Sequence, residues 1–256
     1  MSAPLPTPIS RIAADLAGLP GVLAVMLGGS RATATHRPDS DWDLGVYYRG
    51  SQRPLDPADL RRLGYVGYVS ELGEWGPIVN GGAWLTVAST PVDVLYRDLD
   101  TVEGWLQDAQ DGRFEVLSQN GYVAGAPTYV PVGELALARP ISGSVPRSSF
   151  PDRLAETAPE RWKGRASVSL VFARGYARAG DGVCCTGMLS NAVLCVAHAR
   201  LAERREWVLN EKRLVARAAL DDAHALLART GETASALEAT VVNVSDLLHV
   251  PPLTIR

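Results

Sequence analysis

A glycine turn and three carboxylates hold the chemistry legible in this chain. Gly28-Gly29-Ser30 closes an apolar run, Val22 to Leu27, and ten residues after Ser30 comes Asp41-Trp42-Asp43, opening a second apolar run. Glycines let the chain turn sharply and bring its amides close to a ligand. Ser30 is suited to cap a short helix, and a helix start after such a turn is a place for phosphate. Asp41 and Asp43 stand two apart in an expected strand, so both carboxylates share one face. Carboxylates side by side repel; a shared cation offsets that cost, and hard oxygen ligands suit Mg²⁺. Asp93 lies within TPVDVLYRD, where an acid among Val92, Val94 and Leu95 is costly to bury unless paired or bound to metal. Three acids on adjacent strands, facing a phosphate-binding turn, suit a two-metal phosphoryl-transfer site. Gly-Gly-Ser alone is an ordinary turn, and Asp-x-Asp alone an ordinary solvated strand edge; their order and placement together carry the reading.

The elements that must position these groups follow from pattern. Val22 to Leu27 has the length and continuous apolarity of a buried strand. Residues 1–8 are proline-rich and read as a loose arm, followed by a short amphipathic helix from Arg11 to Ala17 behind the cap Ser10, stopped by Gly18. Ala83 to Val87 and Val92 to Tyr96 read as strands joined by Ser89-Thr90-Pro91. Arg49 to Pro57 reads as loop, Ala58 to Leu63 as helix, and Asn80-Gly81-Gly82 as a turn feeding the Ala83 strand. Asp98 to Gln110 reads as helix, Val116 to Ala124 as strand or loop, and Gly133 to Ala138 as a short helix ending before Pro140. Ile141 to Pro151 mixes Ser, Gly and Pro and is taken as the domain boundary. Beyond it the periodicity is helical: Pro159 to Gly180, Thr186 to Arg204, Leu214 to Ala228 after the cap Asn210, and Thr233 to His249. Their facing sides suggest a bundle.

Composition sets bounds. The chain has 256 residues, 46% hydrophobic, with 25 basic and 28 acidic residues and a net charge of −3. It can build one large or two small cores, and its acidity counts against long nucleic acid as partner. Cys184, Cys185 and Cys195 form no paired framework, which fits a reducing compartment; no Cys/His spacing resembles a zinc site. The N-terminus lacks a basic start and an apolar signal core, and no apolar stretch approaches the ~18–20 residues needed to span a bilayer. A cytoplasmic protein without a membrane segment is expected.

Gly29-Ser30, the ten-residue gap, Ser40 before Asp41-x-Asp43, and the later Asp93 resemble the signature of the DNA polymerase β-like nucleotidyltransferase superfamily. The stand-alone bacterial branch that includes antibiotic-modifying enzymes is the nearest in layout. The motifs span residues 22–97. The resemblance implies an α+β fold: a nucleotidyltransferase domain over residues 1–145, a mixed sheet flanked by helices, then an α-helical bundle domain over 146–256. It implies Asp41, Asp43 and Asp93 as catalytic metal ligands for two Mg²⁺ ions, with Gly28, Gly29, Ser30 and Ser40 at a nucleoside triphosphate, ATP being the first expectation. Arg31 is either a donor to the triphosphate or a solvated loop residue. Some relatives use an acid just before the third-carboxylate hairpin, which makes Glu74, or Glu71, a candidate general base against a solvated-loop reading. In the branch the helical domain adds basic groups to the phosphates. Lys212, after the cap Asn210, is the choice ahead of Lys163 and Arg165, with an ordinary exposed lysine as the alternative. Trp84 either stacks on a base or packs, packing being preferred.

The activity implied is transfer of a nucleoside monophosphate to a hydroxyl of a small molecule, an aminoglycoside- or lincosamide-like antibiotic by analogy. The alternatives are nucleotidylation of a protein or RNA, as in toxin–antitoxin pairs, and a non-catalytic nucleotide-binding module.

Overall fold

The computed structural model describes residues 5–253; the first residues of the proline-rich arm lie outside them. The chain forms two compact units. The first comprises the residues up to Asp108 with Phe114–Asn120 and Pro127–Ser149. The second comprises Ala109–Arg113, Gly121–Ala126 and the chain from Phe150 onward.

The first unit is α+β. Its elements are α1 (Thr7–Ala17), β1 (Val22–Leu27), α2 (Gly29–Ala32), β2 (Trp42–Tyr48), α3 (Pro57–Arg62), β3 (Val66–Val69), β4 (Gly82–Val87), β5 (Thr90–Asp98) and the start of α4 (Leu99–Gln110). Two two-residue strands, β6 (Val116–Leu117) and β7 (Ala126–Pro127), precede α5 (Val130–Leu137) and β8 (Arg139–Ser142). Six strands make one mixed sheet in the order β3-β4-β5-β2-β1-β8. Only β2 and β5 run parallel; α3, β3 and β4 lie in the crossover between them.

Strand alternation divides the sheet into two faces. Val25 and Leu27, Leu44, Val46 and Tyr48, Ala83, Leu85 and Val87, and Val92, Val94 and Tyr96 form one core with Ile9, Ile12, Ala13 and Leu16 of α1. Those α1 positions recur at three- and four-residue intervals, the spacing of one helix face. The other face carries Asp43, Gly45 and Tyr47 on β2, and Asp93, Leu95 and Arg97 on β5. At one end α5 closes it. Arg97, 3% exposed, donates from Nε to Glu134 Oε2 at 2.6 Å and from Nη2 to Oε1 at 3.0 Å. Its Nη1 donates to the Val79 and Tyr96 carbonyls.

Several expectations need correcting. The first helix begins at Thr7, so Ser10 is inside it and Pro6 takes the cap position. Proline at the second helical position suits that start, where amides lack intrahelical acceptors. The β4–β5 turn is Ala88-Ser89, both left-handed, as a type I′ hairpin turn requires, and Thr90 already belongs to β5. Strand β3 falls in a stretch given no element. Ile141 and Ser142 belong to β8, where Pro140 is tolerated because β8 is an edge strand.

The second unit is helical: α6 (Asp152–Arg178), α7 (Gly182–Glu203), α8 (Leu214–Arg217), α9 (Asp222–Leu227) and α10 (Ala234–Leu248). Pro159 is inside α6 rather than at its start. The expected helix from Leu214 to Ala228 is two short ones, separated where Ala219 takes a left-handed conformation. By length and composition α7 is apolar enough to cross a bilayer, contrary to expectation, and half of that window is buried. Cys185 and Cys195 are core residues, and all three cysteines are free. The buried His198 ring stacks on Trp162, centroids 4.3 Å apart. Neither of its nitrogens has a hydrogen-bond partner, the Glu211 carboxylate being 3.7 Å away, and burial holds its pKa below the usual imidazole value.

Candidate active site

The open end of the second sheet face holds the predicted chemistry. Asp43 and Asp93 are register partners across the parallel β2–β5 pair, so their side chains leave the sheet on the same face, from strands about 4.8 Å apart. Both are half-buried. The row continues in both directions. On one side the Gly28 amide donates to the Asp43 carbonyl at 2.8 Å. On the other, Asp93 pairs with Trp84 on β4, and Trp84 with Tyr68 on β3. The order across the sheet is therefore Gly28, Asp43, Asp93, Trp84, Tyr68.

Gly29 explains why the turn needs glycine. Its φ is +57°, and a Cβ there would lie 1.8 Å from Asp43 Oδ2. The Asp43 carboxylate thus lies directly on the backbone of the turn, a contact that no other residue allows. The short helix α2 starts at Gly29 with Gly28 as its cap residue. Ser30 is the second helical residue, not the cap. The first-turn amides are those that a helix leaves without intrahelical acceptors.

Asp41 differs from the expectation. It precedes β2 and is exposed, so strand alternation does not fix it to the face of Asp43. Arg31 shapes its loop instead. The Arg31 guanidinium donates from Nη2 to the Ser40 carbonyl at 2.6 Å and from Nε to the Asp41 carbonyl at 3.1 Å. It also lies 4.2 Å over the Trp42 ring. Ser40 Oγ accepts from the Arg37 amide at 2.9 Å. Among the described residues, no three acidic, His or Cys side chains form a ready-made cation cage. The donor set is nonetheless one that Mg²⁺ uses, since that ion takes one or two carboxylates and completes its shell with water and substrate phosphate.

Glu74 is exposed in the loop before β4. It accepts from the Tyr68 hydroxyl and, at 2.8 Å, from the Glu71 amide. The Tyr68 hydrogen bond, then the amide, hold its pKa below the usual carboxylate range. Glu71 pairs with Arg61. Lys212 is exposed on the helical unit, and its amide donates to Asn210 Oδ1 at 3.0 Å. Arg213 there is left-handed, so α8 begins only at Leu214. On the same unit Lys163 pairs with Glu203 at 2.8 Å.

Sequence reasoning missed Tyr68 and Trp75, the aromatic neighbours of Trp84. Trp84 is 56% exposed and Tyr68 45% exposed. Trp84 stacks on Trp75, with centroids 4.6 Å apart. The missed signal was the alternation Val66, Tyr68 in β3, both on an exposed face.

The family model described as nucleotidyltransferase domain matches residues 9–80. That stretch holds Gly28, Gly29, Ser30, Asp41 and Asp43 and ends before Asp93. The six-stranded mixed sheet and helical C-terminal region agree with the nucleotidyltransferase fold. The superfamily indicated by the motif is thus the one to which this domain is matched. A crystal structure of a nucleotidyltransferase-like protein from Exiguobacterium sibiricum 255-15 is similar at 12% identity, covering 93% of this chain and 72% of that one, with a TM-score of 0.46. A likeness that slight bears no weight on its own. No curated protein matches the chain.

Proposed function

We propose that the protein transfers a nucleoside monophosphate from a nucleoside triphosphate, ATP first, to a hydroxyl of a small acceptor. The observation that carries this reading is the register pairing of Asp43 with Asp93 beside Gly29. Asp43 and Asp93, with Asp41 from the preceding loop, would hold Mg²⁺. Bound there, the cation would neutralise charge on the triphosphate and lower the pKa of the acceptor hydroxyl. The Gly28–Ser30 turn offers backbone amides to the phosphates, and Arg31 and Ser40 hold the loop that carries Asp41.

The acceptor oxygen attacks the α-phosphorus, the new O–P bond forms as the α–β bridging bond breaks, and pyrophosphate leaves. The hydroxyl proton goes to a base, for which Glu74 is the proposed group. Tyr68 holds that carboxylate ionised, ready to accept a proton but weak in driving its transfer. Positioning and charge neutralisation supply most of the rate. A cytoplasmic antibiotic-modifying role, with an aminoglycoside- or lincosamide-like acceptor, is the finer form of this proposal.

The test is thermal stabilisation by ATP, GTP, CTP and UTP, with and without Mg²⁺, for the wild type and Asp43→Asn. A ligand that binds only the native state at a hundredfold excess over its dissociation constant stabilises it by about 2.7 kcal/mol. The expected result is a Mg²⁺-dependent shift in the wild type that disappears in Asp43→Asn. An equal shift in both proteins, or none with any nucleotide, overturns the reading.

A further inference from the structure

Trp84 stands in a β-strand with more than half its surface exposed, one strand from a proposed reaction centre, and nothing in the transfer chemistry above uses it. Its setting is built. Trp75 stacks on it from the loop before β4. Trp75 in turn lies over Gly82, where a Cβ would come 2.7 Å from the indole. The Trp75 carbonyl accepts from Gln119 Nε2 at 2.7 Å. Tyr68, centroid 5.9 Å from Trp84, extends the surface, and the ionised Glu74 is tethered at its edge by Tyr68. The result is an exposed aromatic shelf that holds Glu74 through Tyr68 and adjoins Asp93 on β5.

The row across the sheet gives the shelf a role, on the reading that this site transfers a nucleotidyl group. Displacement at phosphorus is in line, so the attacking oxygen and the leaving pyrophosphate lie on opposite sides of the α-phosphorus. The Gly28–Ser30 turn is at one end of the row, Asp43 and Asp93 are in the middle, and the shelf is at the other end. With pyrophosphate at the turn, the attacker comes from the shelf.

We propose that Trp84, Trp75 and Tyr68 seat the ring of the acceptor, and that the ring carries a positive charge. Trp84 and Tyr68 offer exposed ring surface to a saturated ring, with Trp75 stacked on the Trp84 indole, and π-faces attract a cation. The Glu74 carboxylate on Tyr68 repels an anionic acceptor and complements a cationic one.

Isothermal titration of kanamycin, a polyhydroxylated amine-bearing probe, tests this in the presence of Mg²⁺ and α,β-methylene ATP, which cannot be cleaved at the reacting bond. The proteins are the wild type, Trp84→Ala and Trp84→Phe, each checked for native circular dichroism. The expected result is that Trp84→Ala weakens kanamycin about tenfold or more while the nucleotide analogue binds within about twofold of wild type, and that Trp84→Phe recovers most of the loss. Equal kanamycin binding by the wild type and Trp84→Ala overturns the shelf, as does no kanamycin binding by a wild type that takes the analogue. Loss of the analogue rather than kanamycin in Trp84→Ala overturns it too, and assigns the shelf to the nucleobase. Failure of the wild type to bind the analogue, with kanamycin binding intact, instead sinks nucleotidyl transfer, and with it the acceptor role.

Discussion

The two ends of one sheet face differ in how they treat charge. β2 and β5 run side by side through both. At the Arg97 end the charge is closed in: the guanidinium is buried, and Glu134 of α5 and two carbonyls take its donors. At the Asp93 end, four residues earlier on β5, two carboxylates of one sign share a row, flanked by an exposed indole. The first arrangement cancels its charge internally and fixes α5 on the sheet. The second sets like charges together beside a glycine turn. On the proposed function, the same strands serve stability at one end and chemistry at the other.

The largest effect that would test the contrast is at the closed end. Replacing Arg97 with Ala leaves the Glu134 carboxylate without its guanidinium, at a cost of about 3–5 kcal/mol. Denaturant unfolding measures it, and a loss within a few tenths of a kcal/mol would mean that the ion pair does not hold this end together. Next comes the turn. Gly29→Ala places a Cβ into the Asp43 carboxylate at a left-handed position, a strain of about 1–3 kcal/mol. It should also abolish nucleotide-dependent stabilisation, and retention of full stabilisation would show that the Gly29–Asp43 contact is dispensable.

The smallest effect is at the exposed rim. The folded-state pKa of Glu74 lies below its ordinary value, so its stabilising contribution is present above the ordinary glutamate range and is lost as pH falls through the folded pKa. Tyr68→Phe removes the main cause and should move the Glu74 titration up towards the ordinary range. Carbon-detected NMR of the side-chain carboxyl follows this, with the melting temperature nearly unchanged. An unmoved titration would mean that the Tyr68 hydroxyl does not hold this carboxylate.

Much of the site was legible because its parts are local. Val22 to Leu27 is a strand with the expected bounds, and Asp93 is in a strand as read, because continuous apolarity and turn residues are properties of short windows. Where reasoning failed, the determinant was distant in sequence. Asp41 was read into the strand, which starts one residue later, after a loop whose carbonyls Arg31 draws to itself. Strand β8 was invisible because its pairing with β1 joins residues more than a hundred positions apart. The Trp75–Trp84 pair depends on a loop folding back over Gly82, which no periodicity records. Pro159 misled because proline commonly opens helices, whereas α6 had already begun at Asp152.

The indole pair also has an optical consequence. Two tryptophans stacked at 4.6 Å couple their electronic transitions, so the pair should give an exciton couplet in the ultraviolet circular dichroism of the unlabelled protein. A ring settling on Trp84 alters the polarisability around one partner and the angle between the two. Occupancy of this face then becomes readable as a change in the shape of that couplet, a built-in spectroscopic gauge that needs no dye and no turnover.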